Sequence, residues 1–295
     1  MRLANLLVDG VSLGLVYALI SIGFVVIFRG TRTPNFAHGS MLVLGTYLVT
    51  VLHARVGFPA AVAVGVVGAA VFGFAVNRLT MVPTRNAGTD VRGIITIGLN
   101  VVLTAELTRR LGADILTTGD PWGDATVHAG GLTVPVSRLF ALVVSGLIIA
   151  GFVLANRYTM MGLSARATAE DPETASLVGA RLRRVSDWAW ILGAALAAVA
   201  GLFLVAYPSP GLVVGTGDIA ILAFPAAVIG GLDSVGGAVA GGLLVGLSQA
   251  LVSGYADRLD FLGRGFDTVA PWVLMVLILL WRPHGLFGKR PLYRI

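Results

Sequence analysis

The feature that most constrains this chain is its series of uninterrupted apolar runs. They fall at about 5–28, 36–54, 59–80, 93–112, 137–155, 185–206, 218–231, 235–254 and 265–281, and most are close to 20 residues long. About 20 apolar residues in a helix span a bilayer core, where every backbone polar group must be paired within the structure. The chain is 56% hydrophobic and 12% charged, against about 25% charged in globular domains. The runs do not alternate apolar with polar residues, which excludes a transmembrane β-barrel. The expected fold is an all-α polytopic integral membrane protein of about 8–9 transmembrane helices. We read it as a single transmembrane domain, 1–295. The 218–231 run, about 14 residues, is short for a full span and reads as a crossing or a re-entrant half helix. The first run ends in Arg29 and Arg32 rather than in a small-residue cleavage site, so it is expected to be a membrane helix and not a signal peptide.

Arginine and lysine set the orientation. If all nine runs cross, fourteen of the 21 basic residues lie on one side. They include Arg29, Arg32, Arg78, Arg85 and Arg92, five arginines between 156 and 184, and Arg282, Lys289, Arg290 and Arg294 near the C-terminus. This side is expected to be cytoplasmic. Trp188, Trp190, Trp272 and Trp281 lie near run ends and are expected to anchor at the interface.

The longest polar link, 156–184, carries a compact helix signal. Asp171 is a good N-cap, Pro172 suits the first helical position, Glu173 sits in the first turn and Gly179 is placed to end the helix. A capped helix over Pro172–Val178, outside the membrane, reads as a docking element for a partner.

Within the runs, Thr96, Asn100, Thr104 and Thr108 recur every four residues and share one helix face. An unpaired amide at the depth of Asn100 is costly, so this stripe faces protein or water rather than lipid. It reads either as an interhelical hydrogen-bonding face or as the lining of a translocation path, the latter with Thr96, Asn100 and Thr104. A path free of fixed charge suits a neutral or zwitterionic solute. Asn35, after Pro34, is placed to cap the second helix, and Asp218 looks like another N-cap. Tyr207, Pro208, Ser209 and Pro210 break the chain on the outer side. The glycine pairs Gly237/Gly241 and Gly242/Gly246 have small-xxx-small spacing, for close packing within the chain or against a second membrane subunit.

Catalytic signatures are missing. There is no cysteine, and His38, His53, His128 and His284 form no metal-ligand pair at helical spacing. The run at Gly288-Lys289 continues with Arg290 where a phosphate-binding loop needs Ser or Thr. Glu106, beside Arg109 and Arg110, reads as a local ion pair, and Asp9, Asp187 and Asp233 lie near run ends or in a turn. A buried carboxylate for ion coupling is therefore not supported. No metal, cofactor or nucleic-acid partner is expected.

Four stretches together resemble the LivH-type permease family of ATP-binding cassette importers for branched-chain amino acids. They are VDGVSLGLVYALISIGFVVIFRG running into TPNFAHGSMLVLGTY, then MGLSARATAEDPETASLVGA, then FPAAVIGGLDSVGGAVAGGLLVGL, and finally RPHGLFG. The resemblance implies a bacterial inner-membrane subunit with a cytoplasmic C-terminus. It implies cytoplasmic ATPase subunits, a second permease in a heterodimer, an extracytoplasmic substrate-binding protein and surrounding membrane lipid as partners. It also implies that the 156–184 loop holds a coupling helix, with Ala169, Glu170, Asp171, Pro172, Glu173 and Gly179 at the matching positions. The family commonly has glutamine where this chain has Glu170. Permeases for urea or short amides resemble the family closely. A passive channel and a non-transporting scaffold are the alternatives of other classes.

Overall fold

The computed structural model describes residues 2–112, 114–119, 121–123, 125–129, 132–206, 211–213, 215–258 and 265–288. Tyr207–Pro210, Arg264, Lys289, Arg290 and Arg294 lie outside the described residues.

Helix α1 (Arg2–Thr31) is the central post. Tyr17, Ala18, Leu19, Ile20 and Ile22 are fully or almost fully buried, so this stretch is covered on every side, as expected of a helix that is apolar all round. Helices α8 (Leu182–Ala206) and α11 (Val235–Gly254) flank it. A Cβ at Gly246 would meet the backbone of Gly14, and one at Gly242 would meet Ala18, so α11 lies directly against α1. The other glycine pair of α11 faces elsewhere. Cβ atoms at Gly237 and Gly241 would strike the carbonyl oxygens of Gly230 and Ala226. Both small-residue stripes are therefore consumed inside the chain, and neither is left for a second subunit.

Helices α2 (His38–Val56) and α3 (Phe58–Val76) form a hairpin through Gly57, whose φ of +81° suits glycine, and α8 packs on both. Chain α3 runs on into a π-helical turn, Asn77–Met81. There the Asn77 amide and the Arg78 guanidinium donate to the Asp187 carboxylate of α8, at 2.8 and 2.6 Å. Helix α4 (Thr89–Leu111) stands at the edge and touches chiefly α2. Strands β1 (Thr126–Ala129) and β2 (Leu132–Pro135) then pair antiparallel, a hairpin the sequence reading did not foresee. Close by, Trp122 stacks on Phe140 and meets Phe58 edge-on.

Helix α5 (Val136–Tyr158) returns to the opposite end and leads into two short helices, α6 (Met160–Glu170) and α7 (Pro172–Leu177). After α8 come α9 (Thr216–Leu222) and α10 (Phe224–Gly230), then α11, and last α12 (Phe266–Trp281). Among the described residues, seven helices are long and apolar enough to cross a membrane, and Thr216–Gly230 and Phe266–Trp281 are shorter apolar segments. The chain is thus an all-α, multi-pass membrane protein. The short segment Thr216–Gly230 starts beside the start of α2 and ends level with the end of α1. Gly230 is bonded by the Phe287 amide, and Asp233 pairs with Arg32 just beyond the end of α1. Residues 282–288 consequently lie at the α6–α7 end.

Three expectations need correction. Trp190 is fully buried in a cluster with Ile27, Met41 and Ala69, so it fills the core instead of anchoring at an interface. Asn35 does not cap α2; its carboxamide oxygen accepts from the Ala37 amide, closing the turn that leads into the helix. Asp218 is not an N-cap either. Gly215 holds that position, and the Thr216 hydroxyl accepts from the Val213 amide.

Candidate functional site

The link between α1 and α2 dips back into the bundle. Arg32, at φ +53°, turns the chain, and the His38 ring at the start of α2 rests on Phe24 at 4.3 Å between centroids. Phe24 lies about 10 Å before the end of α1 at the rise of an α-helix. A second discontinuity sits at the same depth. Pro225 lacks the amide hydrogen that a continuous helix would need, and α9 and α10 part at Ala223. The Ala223 carbonyl accepts from the Ala227 amide and also from Ser21 Oγ, at 3.3 and 3.0 Å, and Phe224 meets Phe24 edge-on. The starts of α2 and α9 touch, since a Cβ at Gly39 would lie 2.5 Å from the Gly217 oxygen. Broken backbone at membrane depth persists only where protein buries it or where it lines a cavity.

A cavity is there. It measures about 620 Å³ and lies between the starts of α2 and α9 and the polar face of α4. Its polar lining comprises Ser40, Asn100, Thr104, Thr108, Arg109 and Asp218, and Val43, Val101, Leu107 and Ile221 supply apolar wall. Asn100 and Thr104 of the expected path thus face one space, but its lining is not free of fixed charge as expected, because Arg109 and Asp218 share it. Thr96 does not line it. Its hydroxyl accepts from the Phe36 amide at 3.1 Å and donates to the Gly93 carbonyl at 2.7 Å, fastening α4 to the α1–α2 link. The Glu106 carboxylate is held by Arg109 and Arg110 at 2.6–2.8 Å in an exposed ion pair. Ser40, Gly217 and Asp218 escaped sequence reading because nothing in the sequence says that two distant helix starts meet. The closely spaced Gly215 and Gly217 were the available signal.

The second candidate surface is the α6–α7 pair. Asp171 ends α6 and caps α7, its Oδ1 accepting from the amides of Glu173 and Thr174 at 3.0 and 3.1 Å. Gly179, at φ +93°, closes α7, with the Ala180 amide on the Ala175 carbonyl and the Gly179 amide on Ser176. That is a Schellman closure. The helix ends one residue earlier than expected, at Leu177, with Val178 as C-cap. Ala175 is its buried face. Glu170 and Glu173 are on the surface, while Ala169 and Pro172 are half-buried. Leu177 and Val178 are 86% and 78% exposed, an apolar tip on a charged loop that sequence reading missed.

The α6–α7 pair is braced from within. The Arg166 guanidinium donates to the carbonyls of Asn156 and Arg157, tying α6 to the end of α5. Thr159 caps α6 by accepting from the Gly162 amide at 3.1 Å. Movement of α7 is therefore linked to α5 and, through the turn 179–181, to α8. Among the described residues no group of His, Cys, Asp or Glu could hold a metal ion.

Residues 6–281 match the family described as branched-chain amino acid transport system / permease component. The high-affinity branched-chain amino acid transport system permease protein LivH of Escherichia coli K12 is 32% identical over 95% of this chain and 94% of its own. BraD of Pseudomonas aeruginosa, a permease protein of the same description, is 30% identical over 96% of this chain and 95% of its own. The probable LivH of Methanocaldococcus jannaschii is 28% identical over 92% and 88%. A solved structure, PsaBC from Streptococcus pneumoniae in complex with Fab, aligns over 95% of this chain and 91% of that one at 12% identity and a TM-score of 0.49. The match along nearly the whole length makes this chain a member of the branched-chain amino acid transport system permease family.

Proposed function

We propose that this chain forms half of the transmembrane pathway of an ATP-driven importer and passes branched-chain amino acids into a bacterial cytoplasm across the inner membrane. The cavity between α2, α4 and α9 carries this reading. It offers a carboxylate at Asp218, hydroxyl and amide groups at Ser40, Asn100, Thr104 and Thr108, and aliphatic wall at Val43, Val101 and Ile221, with the Glu106-paired guanidinium of Arg109 also on its lining. A zwitterion with an aliphatic side chain matches that set. The relatives named above transport such amino acids by their descriptions.

The whole chain, 1–295, acts as one permease domain. The arginine bias supports a cytoplasmic α6–α7 end, and with it a cytoplasmic C-terminus. Cytoplasmic ATPase subunits hold Ala169–Glu173, the apolar tip and Gly179, and hydrolyse the ATP. An extracytoplasmic binding protein delivers the solute. A second permease, forming a heterodimer, faces α4, a helix with little packing inside the chain. ATP-driven motion of α7 passes through α5 and α8 and changes which end of the cavity is open, with Asn100 and Thr104 on the path and Thr96 fixing α4 to the α1–α2 link.

Uptake by proteoliposomes holding the assembled transporter and its binding protein tests this. Leucine, isoleucine and valine should compete with one another, require internal ATP and ignore excess urea or acetamide. Asn100 and Thr104 favour a second substrate class, small amides. Uptake of urea in place of leucine would move the assignment to that class. Uptake without ATP by the chain alone would establish a passive channel.

A further inference from the structure

A second crevice lies at the α6 end, away from the cavity. It measures about 160 Å³ and runs between α1, α5, α6 and α8. Its walls are Val26, Phe152, Leu192 and Ala165 with other apolar groups, and Trp188 lines it while remaining 44% exposed. One charged side chain lines it as well. Arg29 is only 9% exposed, and its Nε has no hydrogen-bond partner among the described residues.

A buried guanidinium without an ion pair is costly, so the site calls for an anion. The charges nearby do not supply one. Arg32 and Arg166 lie within electrostatic reach of Arg29, and the carboxylate in reach, Asp233, is already held by Arg32 at 3.1 Å. Three guanidiniums thus face one carboxylate. Arg166 is anchored on the Asn156 carbonyl, and Asn156 itself lines the crevice. A soluble anion would explain the arginines but not the apolar slot beside them. A phospholipid explains both, because basic pockets between helices hold lipid headgroups and an acyl chain fills an apolar groove at membrane depth. Trp188 is the kind of amphipathic residue found at headgroup level.

We propose that this crevice binds an anionic phospholipid, its phosphate on Arg29 and one acyl chain between α1, α5, α6 and α8. The bound lipid is then a wall of the joint between α6 and the membrane helices, and it sets how firmly α6 is held. The proposal rests on the membrane fold and does not depend on the substrate assigned above.

The test is tryptophan quenching in nanodiscs that hold the full chain in phosphatidylcholine. Traces of phosphatidylglycerol or phosphatidylcholine, each brominated on its acyl chains, are added at equal mole fraction. The Trp188 signal is isolated by difference from Trp188→Phe. Brominated phosphatidylglycerol should quench Trp188 more than brominated phosphatidylcholine. Arg29→Gln should lower that preference about fivefold, and Arg29→Lys should largely keep it. Ala155→Phe, at an exposed position on the crevice wall, fills the slot with the charge intact and should abolish the preferential quenching. Excess inorganic phosphate should not displace the lipid. Equal quenching by the two lipids in the parent chain would overturn the proposal, as would an unchanged preference in Ala155→Phe even if Arg29→Gln fails to fold. Displacement by inorganic phosphate alone would reassign the site to a free anion.

Discussion

The α1–α11 seam and the α4 helix solve opposite problems. At the seam, backbones touch, with Gly14 against Leu243, Ala18 against Gly242 and Gly10 against Leu247. Nothing there can slide without losing contacts along the whole length. Helix α4 is bound to the rest through α2 and through the Thr96 bonds to the α1–α2 link, and Ile94, Val101 and Val102 are 62–69% exposed. Yet α4 carries the polar stripe that lines the cavity. The contrast separates a rigid frame from a helix that can be repositioned by a neighbour. In lipid, where burial of apolar surface gives helices no reason to associate, close packing by small residues makes the frame.

The largest effect should come from breaking the seam. Gly246→Leu puts a branched side chain where Gly14 already lies and should destabilise by about 3 kcal/mol. Folded yield after detergent extraction should fall sharply. Gly236→Ala, on the same helix but with nothing within 4 Å, should stay within about 0.5 kcal/mol. Equal loss in both would remove the distinction between seam and surface.

Next in size is the Asn77–Arg78–Asp187 junction. Asp187→Ala leaves a guanidinium and an amide without their acceptor in a largely enclosed place, and should cost about 2 kcal/mol in thermal unfolding. Arg110→Ala, at the exposed Glu106 pair near the end of α4, should leave thermal unfolding nearly unchanged, because solvent screens that pair. The cap on α7 follows. Asp171→Ala removes the acceptor for two amides and should weaken this short helix by about 1 kcal/mol. Bundle stability should hold while coupling of ATP hydrolysis to uptake falls. Asn100→Leu should leave the fold intact, since Asn100 faces the cavity, but lower the rate of leucine uptake about tenfold or more, consistent with loss of one polar contact of about 1.4 kcal/mol.

Local chemistry was legible in the sequence, and distant meetings were not. Asp171, Pro172 and Gly179 act within a few residues of each other, so residue type alone defined α7 and its closure. The apolar runs were long enough to reveal the crossings. Trp190 lay beyond that reading because position in a run does not tell which face meets α3. The cavity was half visible. The four-residue spacing of Asn100 and Thr104 identified one wall. The other wall depends on two chain breaks, at 32–37 and at Ala223, coming to one depth beside Ser21 and Phe24, which is a matter of tertiary register. Helix α6 was missed because its residues have no span-length run. Its cap on Thr159 and its brace through Arg166 are visible only once α5 is placed.

The central claim is that α7, through its apolar tip, is where ATP-driven force enters this permease. The most direct measurement is substrate-stimulated ATP hydrolysis, with uptake, by the reconstituted transporter carrying Leu177→Asp and Val178→Asp. Both side chains are exposed, so the chain should fold and reach the membrane in normal amount. The account predicts that stimulated hydrolysis and uptake are both lost. Stimulated hydrolysis and uptake at the parent level, with the two aspartates in place, would contradict it.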